Sequence, residues 1–324
     1  MKVAWFDAES WEKEYVEKRS DMDIEFFEDP LKPGNAGKAE GYDAAAVFVS
    51  SEINEEVLER TDLDLVCCRS TGFDHVDLEA AEEEEVTVCN VPDYGGPTVA
   101  EHTFGLMLAL SRKIHDAILR VEQDGSFDHS GLRGFDLHGK KLGVIGTGAI
   151  GLNVIKIAKG LGMEVIASDP QTKEDKASEL GFMYVSKDHL LRESDVVTLH
   201  CPLNDATRGM LSEDEFDLMD DTMLINTARG GLVDTEALLK ALEDGSVRSA
   251  GLDVLEEECT MEEDLEVIDQ DDECDIETVL EDHMLIERDD VLVTPHNAFN
   301  SREAMQRIAD ATLENLRSQE NTVS

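Results

Sequence analysis

The 324-residue sequence is poor in basic residues: 28 Lys and Arg stand against 74 Asp and Glu, a formal net charge of −46. Phosphate recognition draws on Lys and Arg patches, so this balance argues against nucleic acid as a partner, and an anionic membrane surface would repel the chain. No apolar run reaches the roughly 18 residues of a membrane helix, and Met1–Trp5 runs directly into a strand-like pattern rather than a signal peptide. The six Cys form no CxxC pair, and Cys67 and Cys68 are adjacent, a poor basis for a disulfide framework. Reduced thiols in a cytoplasm are the expectation. His75, His102, His115, His129, His138 and His200 show no HxxxH or Cys/His ligand spacing, so no metal site is expected. Internal repeats and low-complexity tracts are lacking too.

What is present reads as globular: 41% hydrophobic residues, 23 Gly and 7 Pro over a length that suits two domains. The acids are spread along the chain rather than gathered in a tail. Their densest stretch, 256–290, holds 18 acids and one Arg but is interspersed with Leu, Ile, Val and Met. So large a net charge strains the compact state by self-repulsion. Concentrated salt relieves that strain, since the Debye length falls to about 3 Å at 1 M. A protein adapted to a salt-rich cytoplasm is the economical reading.

Apolar bursts alternate with helix-period segments: Val3–Phe6, Ala46–Val49, Leu65–Cys68, Leu142–Ile145, Val165–Ser168, Val196–His200, Met223–Asn226, Ala250–Val254 and Val291–Thr294. Most gaps hold one helix, the pattern of parallel sheets wound with helices. Near-continuous apolar runs point to strands covered on both faces. The fold class is therefore α/β. The turn-rich Val91–Pro97 marks the best boundary, and a helix-period run from Thr98 to Ile114 follows it. That run is apolar on more than one face, which predicts a helix buried in a core, with an interface as the second choice.

The most informative local motif is Gly146–Thr147–Gly148–Ala149–Ile150–Gly151, placed between the strand Leu142–Ile145 and a helix-period run to Leu161. A second strand then ends at Asp169. A lone GxGxxG is weak, but here the strand–glycine–helix–strand–acid context is complete. Gly146 permits the tight turn, Gly148 lets backbone approach a pyrophosphate, and Gly151 lets the helix pack on the strand. Helix N-terminal amides hold the phosphates. Asp169, 18 residues beyond Gly151, can accept hydrogen bonds from the adenosine ribose hydroxyls, which selects NAD. The bland alternative is a glycine-rich turn beside a surface acid.

Other unusual residues stand just after strands: Arg229, Asp253 with Glu256, Glu257 and Glu258 beyond it, and His296. Open parallel sheets bind ligands outside the carboxyl ends of their strands. Hydride transfer to a keto acid needs a cation for the carboxylate or carbonyl oxygen and a proton donor. Arg229 suits the first role through its planar fork, and His296 the second. Singly, an Arg here reads as a salt-bridge partner and a His as structural; the cofactor loop beside them favours chemistry.

Together these residues resemble the D-isomer-specific 2-hydroxyacid dehydrogenases over nearly the whole chain, with the D-lactate-type members most similar. The segments that carry the resemblance are Arg69–Asp77, Pro92–Tyr94 through Ala100–His102, Gly131–Lys140, His200–Leu203, Asn226–Asp234 and Gly251–Val254. The resemblance implies two doubly wound parallel-sheet domains, with a Rossmann coenzyme domain (98–297) inserted into a flavodoxin-like substrate domain (1–97 with 298–324). It implies an Arg229–Glu258–His296 catalytic set, Glu258 being chosen by its spacing from Asp253, with Glu256 and Glu257 close by. It also implies substrate binding by Thr71, Gly72, Tyr94 and Arg229. Cofactor binding falls to Gly146–Gly151, Asp169, His200, Cys201, Pro202, Ala228 and Asp253, and a homodimer would form through the coenzyme domain. Three departures stand out: Cys259 replaces the Pro common after the family Glu, a long acidic stretch separates Glu258 from His296 as in D-lactate-type members, and Asn300 stands where many D-lactate enzymes carry a bulkier residue.

The expected reaction is NAD-dependent interconversion of a small, D-lactate-like D-2-hydroxy acid and its 2-keto acid. A glycerate, glyoxylate or 3-phosphoglycerate substrate is the first alternative, although a phosphorylated one would want more Lys or Arg at the pocket. The second is a nucleotide-sensing corepressor on the same fold, since fold does not fix function. Such a binder has less need of Arg229, Glu258 and His296.

Overall fold

The computed structural model describes residues 1–92, 94–256, 276–319 and 321–323. Among them, the chain forms two compact units, Met1–Tyr94 with Asn300–Ser324 and Gly95–Phe299. Each is built on one wholly parallel sheet.

The first unit contains β1 (Lys2–Trp5), β2 (Asp23–Phe26), β3 (Ala44–Val47), β4 (Leu65–Cys68) and β5 (Thr87–Cys89), in spatial order β2-β1-β3-β4-β5. That order is the flavodoxin-like winding. Strand side chains alternate between faces, so each face has its own core. Ala4, Phe6, Ala45, Val47, Val66, Cys68 and Val88 pack with Val57, Leu58, Ala80 and Ala81 of the helices on one side. Val3, Trp5, Ala44, Ala46, Leu65, Cys67 and Cys89 face Val16 and the C-terminal helix Arg302–Ser318, which contributes Ala309, Leu313 and Leu316. That helix starts at Ser301, whose hydroxyl accepts from the Ala304 amide at 3.1 Å.

The second unit contains β6 (Lys141–Ile145), β7 (Glu164–Ser168), β8 (Met183–Tyr184), β9 (Val196–Leu199), β10 (Thr222–Asn226), β11 (Val247–Leu252) and β12 (Val291–Val293). Their order, β12-β11-β10-β9-β6-β7-β8, is the dinucleotide-binding winding with one strand added beyond β11. The winding reverses between β6 and β9, which places a ligand crevice at the carboxyl ends of those two strands.

Three strands escape the apolar pattern: β2, β5 and β8, all at sheet edges. An edge strand has less of its surface to bury, so Asp23–Ile24–Glu25–Phe26 alternates charge with apolar residues and Met183–Tyr184 is only two residues long. The third central strand begins at Ala44 rather than Ala46, and β11 begins at Val247 rather than Ala250. The expected single helix Thr98–Ile114 is corrected to two, Gly96–Ser111 and Ile114–Asp124. Pro97 fits the first turn, where its missing N–H costs nothing, and the break falls at Lys113, whose φ of 50° is left-handed. The first of these helices is core: Ala100, Phe104, Leu106 and Met107 bury against β6, β9 and β10.

Candidate active site

The glycine loop leaves β6 through Gly146, whose φ of 93° only glycine adopts without strain. A Cβ there would lie 2.5 Å from the His200 carbonyl oxygen, and one on Gly151 would lie 2.1 Å from that of Gly146. Both positions are thus fixed by backbone packing. Gly148 differs: a Cβ on it would meet nothing within 4 Å, and with Ala149 it is exposed at the start of the helix Ala149–Gly160. Ile150 packs into the core behind them. A twelve-residue helix with an open glycine at its N-terminus is a fitting cradle for a pyrophosphate.

Asp169 closes the second side of the cradle. Its carboxylate accepts from the Thr147 amide at 2.6 Å, the Thr147 hydroxyl at 2.9 Å and the Gln171 amide at 2.8 Å. Partial burial works against ionisation, but these bonds and nearby Lys173 hold the carboxyl below the usual aspartate range. Tyr184, on β8, adds a hydroxyl 2.9 Å from that of Thr147. Nothing in the β8 sequence pattern marks that tyrosine, because the contact spans 37 positions.

Across the switch point, His200 donates its amide to Ile145 O at 2.7 Å. Its Nε2 lies 2.9 Å from the Thr198 hydroxyl, and burial pushes the imidazole down to about 3, so the ring is neutral at working pH. Burial also raises the Cys201 thiol to about 11, and the Pro202 carbonyl accepts from Thr207 at 2.7 Å. His200 thus carries a neutral ring just beyond the carboxyl end of β9.

The residues expected to do chemistry hang on a relay of backbone bonds. Asn226, the last residue of β10, donates from Nδ2 to Arg229 O at 2.9 Å and accepts at Oδ1 from the Ala228 amide at 3.0 Å. The turn bearing Arg229 is therefore pinned from both sides. The Asn226 carbonyl accepts from the Asp253 amide at 2.9 Å, and the Asp253 carbonyl accepts from the His296 amide at 2.8 Å. Arg229 and His296 are thus tied to adjacent strand ends of one sheet. His296 has a left-handed φ of 45° and stacks edge-on to Phe299 at 6.3 Å.

Asp253 is 1% exposed. One oxygen accepts from the Thr294 hydroxyl, the Asn297 amide at 2.9 Å and His102 Nε2 at 3.2 Å; the other accepts from the Ala298 amide at 2.8 Å. Burial opposes the charge, yet these donors hold the carboxyl below its ordinary value. Its side chain holds the His296 loop. His102 enters this network from the helix Gly96–Ser111, 151 positions away, so only the fold reveals it.

Glu258 lies outside the described residues, as does Glu257. Glu256 is described, and its Oε2 accepts from the Thr235 hydroxyl at 3.1 Å. In the other unit, Thr71 and Gly72 follow the carboxyl end of β4. The Thr71 hydroxyl donates to Val91 O at 2.9 Å, its carbonyl accepts from Asn90 at 2.7 Å, and the Ser70 hydroxyl donates to Gly72 O at 2.6 Å. Arg69 before them is buried and paired with Glu12, itself 1% exposed. The Tyr94 carbonyl accepts from Arg307 at 2.8 Å.

Residues 104–298 match the D-isomer specific 2-hydroxyacid dehydrogenase, NAD binding domain. The whole chain is 38% identical to a 2-hydroxyacid dehydrogenase homolog of Haemophilus influenzae, over 98% of this chain and 95% of that one. It is 37% identical to the D-lactate dehydrogenase of Escherichia coli, over 98% and 96%. Among solved structures, the apo form of Escherichia coli D-lactate dehydrogenase superposes with a TM-score of 0.86 at 35% identity, covering 100% of both chains. A D-lactate dehydrogenase from Aquifex aeolicus, complexed with NAD and lactic acid, gives 0.85 at 32% identity and 99% coverage of each. The chain belongs to the D-isomer-specific 2-hydroxyacid dehydrogenase family and is an NAD-dependent oxidoreductase that interconverts a hydroxy acid and its keto acid.

Proposed function

We propose that the substrate pair is D-lactate and pyruvate, or a 2-hydroxy and 2-keto acid of similar size, and that Arg229, Glu258 and His296 carry the reaction. The observation that supports this best is the pinning of Arg229 and His296, through Asn226 and Asp253, at adjacent strand ends of the sheet whose β6 carries the glycine loop. The likeness to relatives called D-lactate dehydrogenases over almost the full chain points the same way.

The cofactor, when bound, supplies hydride to C2 of the keto acid or takes it back from the hydroxy acid. Gly146–Gly151 hold its pyrophosphate and Asp169 its adenosine ribose, with His200, Cys201, Pro202 and Ala228 lining the cleft. Arg229 and the turn at Thr71 and Gly72, with Tyr94, bind the substrate carboxylate. His296 gives a proton to the carbonyl oxygen in reduction and removes it in oxidation, so charge does not build up on that oxygen. Glu258 orients the imidazole and favours its cationic form. Asp253 fixes the loop from which His296 acts.

In this reading the unit Gly95–Phe299 is the coenzyme domain and the other is the substrate domain. The coenzyme domain also makes a homodimer. The helix Ile114–Asp124 buries no residue, and Ile114, Ile118 and Val121 are 44%, 49% and 42% exposed along one face, with Phe127 at 91% just beyond. A contiguous apolar face of this kind marks a protein contact. The acid-rich composition suits a salt-rich cytoplasm, and no helix among the described residues is long and apolar enough to cross a membrane.

Loss of absorbance at 340 nm with NADH and a panel of 2-keto acids tests the substrate. Pyruvate should give the highest kcat/KM. A marked preference for hydroxypyruvate, glyoxylate or 3-phosphohydroxypyruvate would move the enzyme to one of the alternative substrate classes. Turnover of none of these would place the substrate outside this set of small 2-keto acids.

A further inference from the structure

At the amino ends of β11 and β12 lies a cavity of about 500 Å³ within the unit Gly95–Phe299. It opens at the far end of the sheet from Asp253 and His296. Between Arg248 and Asp253, five strand rises of about 3.3 Å place it roughly 16 Å from them. Lys113, His115, Arg133, Arg248 and Arg288 all line it. Four of its fifteen lining residues are Lys or Arg, against 28 of 324 in the chain; they stand with the lining carboxylates of Asp116, Asp289 and Asp290 and with Asp221, which bonds to Arg248. Acids and bases are evenly matched there, in a chain where acids outnumber bases 74 to 28.

The cations are also positioned. Arg248 sits where the register between β10 and β11 slips by one residue, Thr222 pairing with Val247 and Met223 with Ser249. Such a slip re-aims a side chain. Its guanidinium lies over the Phe135 ring at 4.6 Å and bonds to Asp221 through Nε and Nη2. Arg288 bonds to Asp290 through the same two nitrogens, at 2.8 and 2.9 Å. Each Nη1 is left without a partner among the described residues. Arg133, held nearby by the Phe135 amide donating to Ser111 O at 2.8 Å, has no carboxylate partner among those residues. Of the three lining acids, Asp290 is taken by Arg288, Asp116 lies 3.7 Å from Lys113, and Asp289 stands opposite Arg133 in the charge count.

We propose that this cavity is a binding site for a compact, multiply charged anion, a polycarboxylate or a pyrophosphate-like group, separate from the coenzyme and substrate sites. Fixed guanidinium edges with spare N–H groups match the geometry of carboxylate and phosphate oxygens. A monovalent anion engages only one of the converging cations, so the site takes a polyanion in preference to chloride.

Isothermal titration calorimetry on the full chain, in KCl sufficient to keep it folded, tests this with inorganic pyrophosphate and citrate as probes. One site per chain is expected for at least one probe, undiminished by saturating NADH. Comparing the two probes separates phosphate from carboxylate recognition. Arg133→Gln should raise Kd at least ten-fold, and Arg133→Gln with Lys113→Gln should abolish binding. Arg60→Gln, an exposed arginine of the other unit, should leave it unchanged. Displacement by NADH would place the anion in the coenzyme cleft and overturn the proposal. So would binding that ignores Arg133, or none of either probe at millimolar concentration.

Discussion

The amide of Asp253 donates to the carbonyl oxygen of Asn226 at 2.9 Å, joining the strand end that carries Arg229 to the one that leads to His296. The Asp253 side chain then gathers Thr294, Asn297, Ala298 and His102 around one buried carboxylate. Four donors converging on two oxygens need an acceptor at every position. Asp253→Asn would turn an amide N–H toward at least one of them, leaving buried donors unpaired at a cost of about 1–3 kcal/mol. The His296 loop should shift with it, and misplacement of about 1 Å can cost on the order of 10²-fold in rate. Urea unfolding and steady-state kinetics on this variant should show both losses.

The same carboxylate gives a pH dependence whose sign is fixed. Its folded-state pKa is depressed, below an unfolded value of about 3.9. Its contribution to stability is therefore complete above that pH and is lost as pH falls through the folded value. The gap in unfolding free energy between wild type and Asp253→Asn should be constant from pH 7 to 5 and shrink below about pH 4. A gap that widens on acidification would contradict an ionised, donor-saturated Asp253.

Cofactor choice should follow Asp169. Bonds from Thr147 and Gln171 and the nearby Lys173 keep it anionic, so it repels a ribose 2′-phosphate. NADH should exceed NADPH in kcat/KM by at least ten-fold, and Asp169→Ser should narrow that ratio mainly by improving NADPH. The Lys173 ammonium donates to Thr147 O at 2.8 Å, which limits its freedom to meet a phosphate. Comparable kcat/KM for the two cofactors in wild type would contradict this role.

Much of this architecture was legible in the sequence because central parallel strands are apolar on both faces, and β1, β4, β6, β7, β9 and β10 announce themselves that way; β12, at an edge, keeps an apolar run as well. The glycine loop was legible because backbone contact leaves Gly146 and Gly151 no substitute. Edge strands β2 and β8 were not, since half-exposed strands need no apolar run, and β5, buried at Val88 and Cys89, is only three residues long. Residues whose importance comes from distant contacts, such as His102 and Tyr184, carry no local mark. Asn226 belongs to a segment that carries the family resemblance, but its clamp on the Arg229 turn shows only once its side chain is placed.

Salt should stabilise the protein. With 74 acids and 28 bases, diluting cations lengthens the range of self-repulsion, from about 3 Å at 1 M to about 10 Å at 0.1 M. Most ion pairs among the described residues are exposed, for example Lys18–Glu14 and Lys240–Glu236, and pairs of this kind contribute little. Repulsion therefore dominates the response, and Tm should climb steadily from 0.1 to 3 M KCl. A flat profile would remove the case for adaptation to a salt-rich cytoplasm.

The catalytic assignments separate by kinetics. His296→Ala should lose acid–base assistance, typically about 10²–10⁴-fold, mainly in kcat. Arg229→Lys should raise KM and lower kcat together, because a point charge does not reproduce the planar fork. The acid partner is the finer question. Glu256 bonds to Thr235 through Oε2, which leaves Glu258 the better candidate for the imidazole. A carboxylate bonded to the ring favours its protonated form, the one that donates in reduction. Glu258→Gln should therefore lower the protonated fraction at alkaline pH and move the upper pH limit of pyruvate reduction downward, with some activity retained. Glu256→Gln should leave that limit in place. Profiles of kcat/KM against pH for both variants beside wild type decide the matter: movement in Glu256→Gln alone would transfer the role to Glu256, and movement in neither would remove a carboxylate partner for His296 altogether.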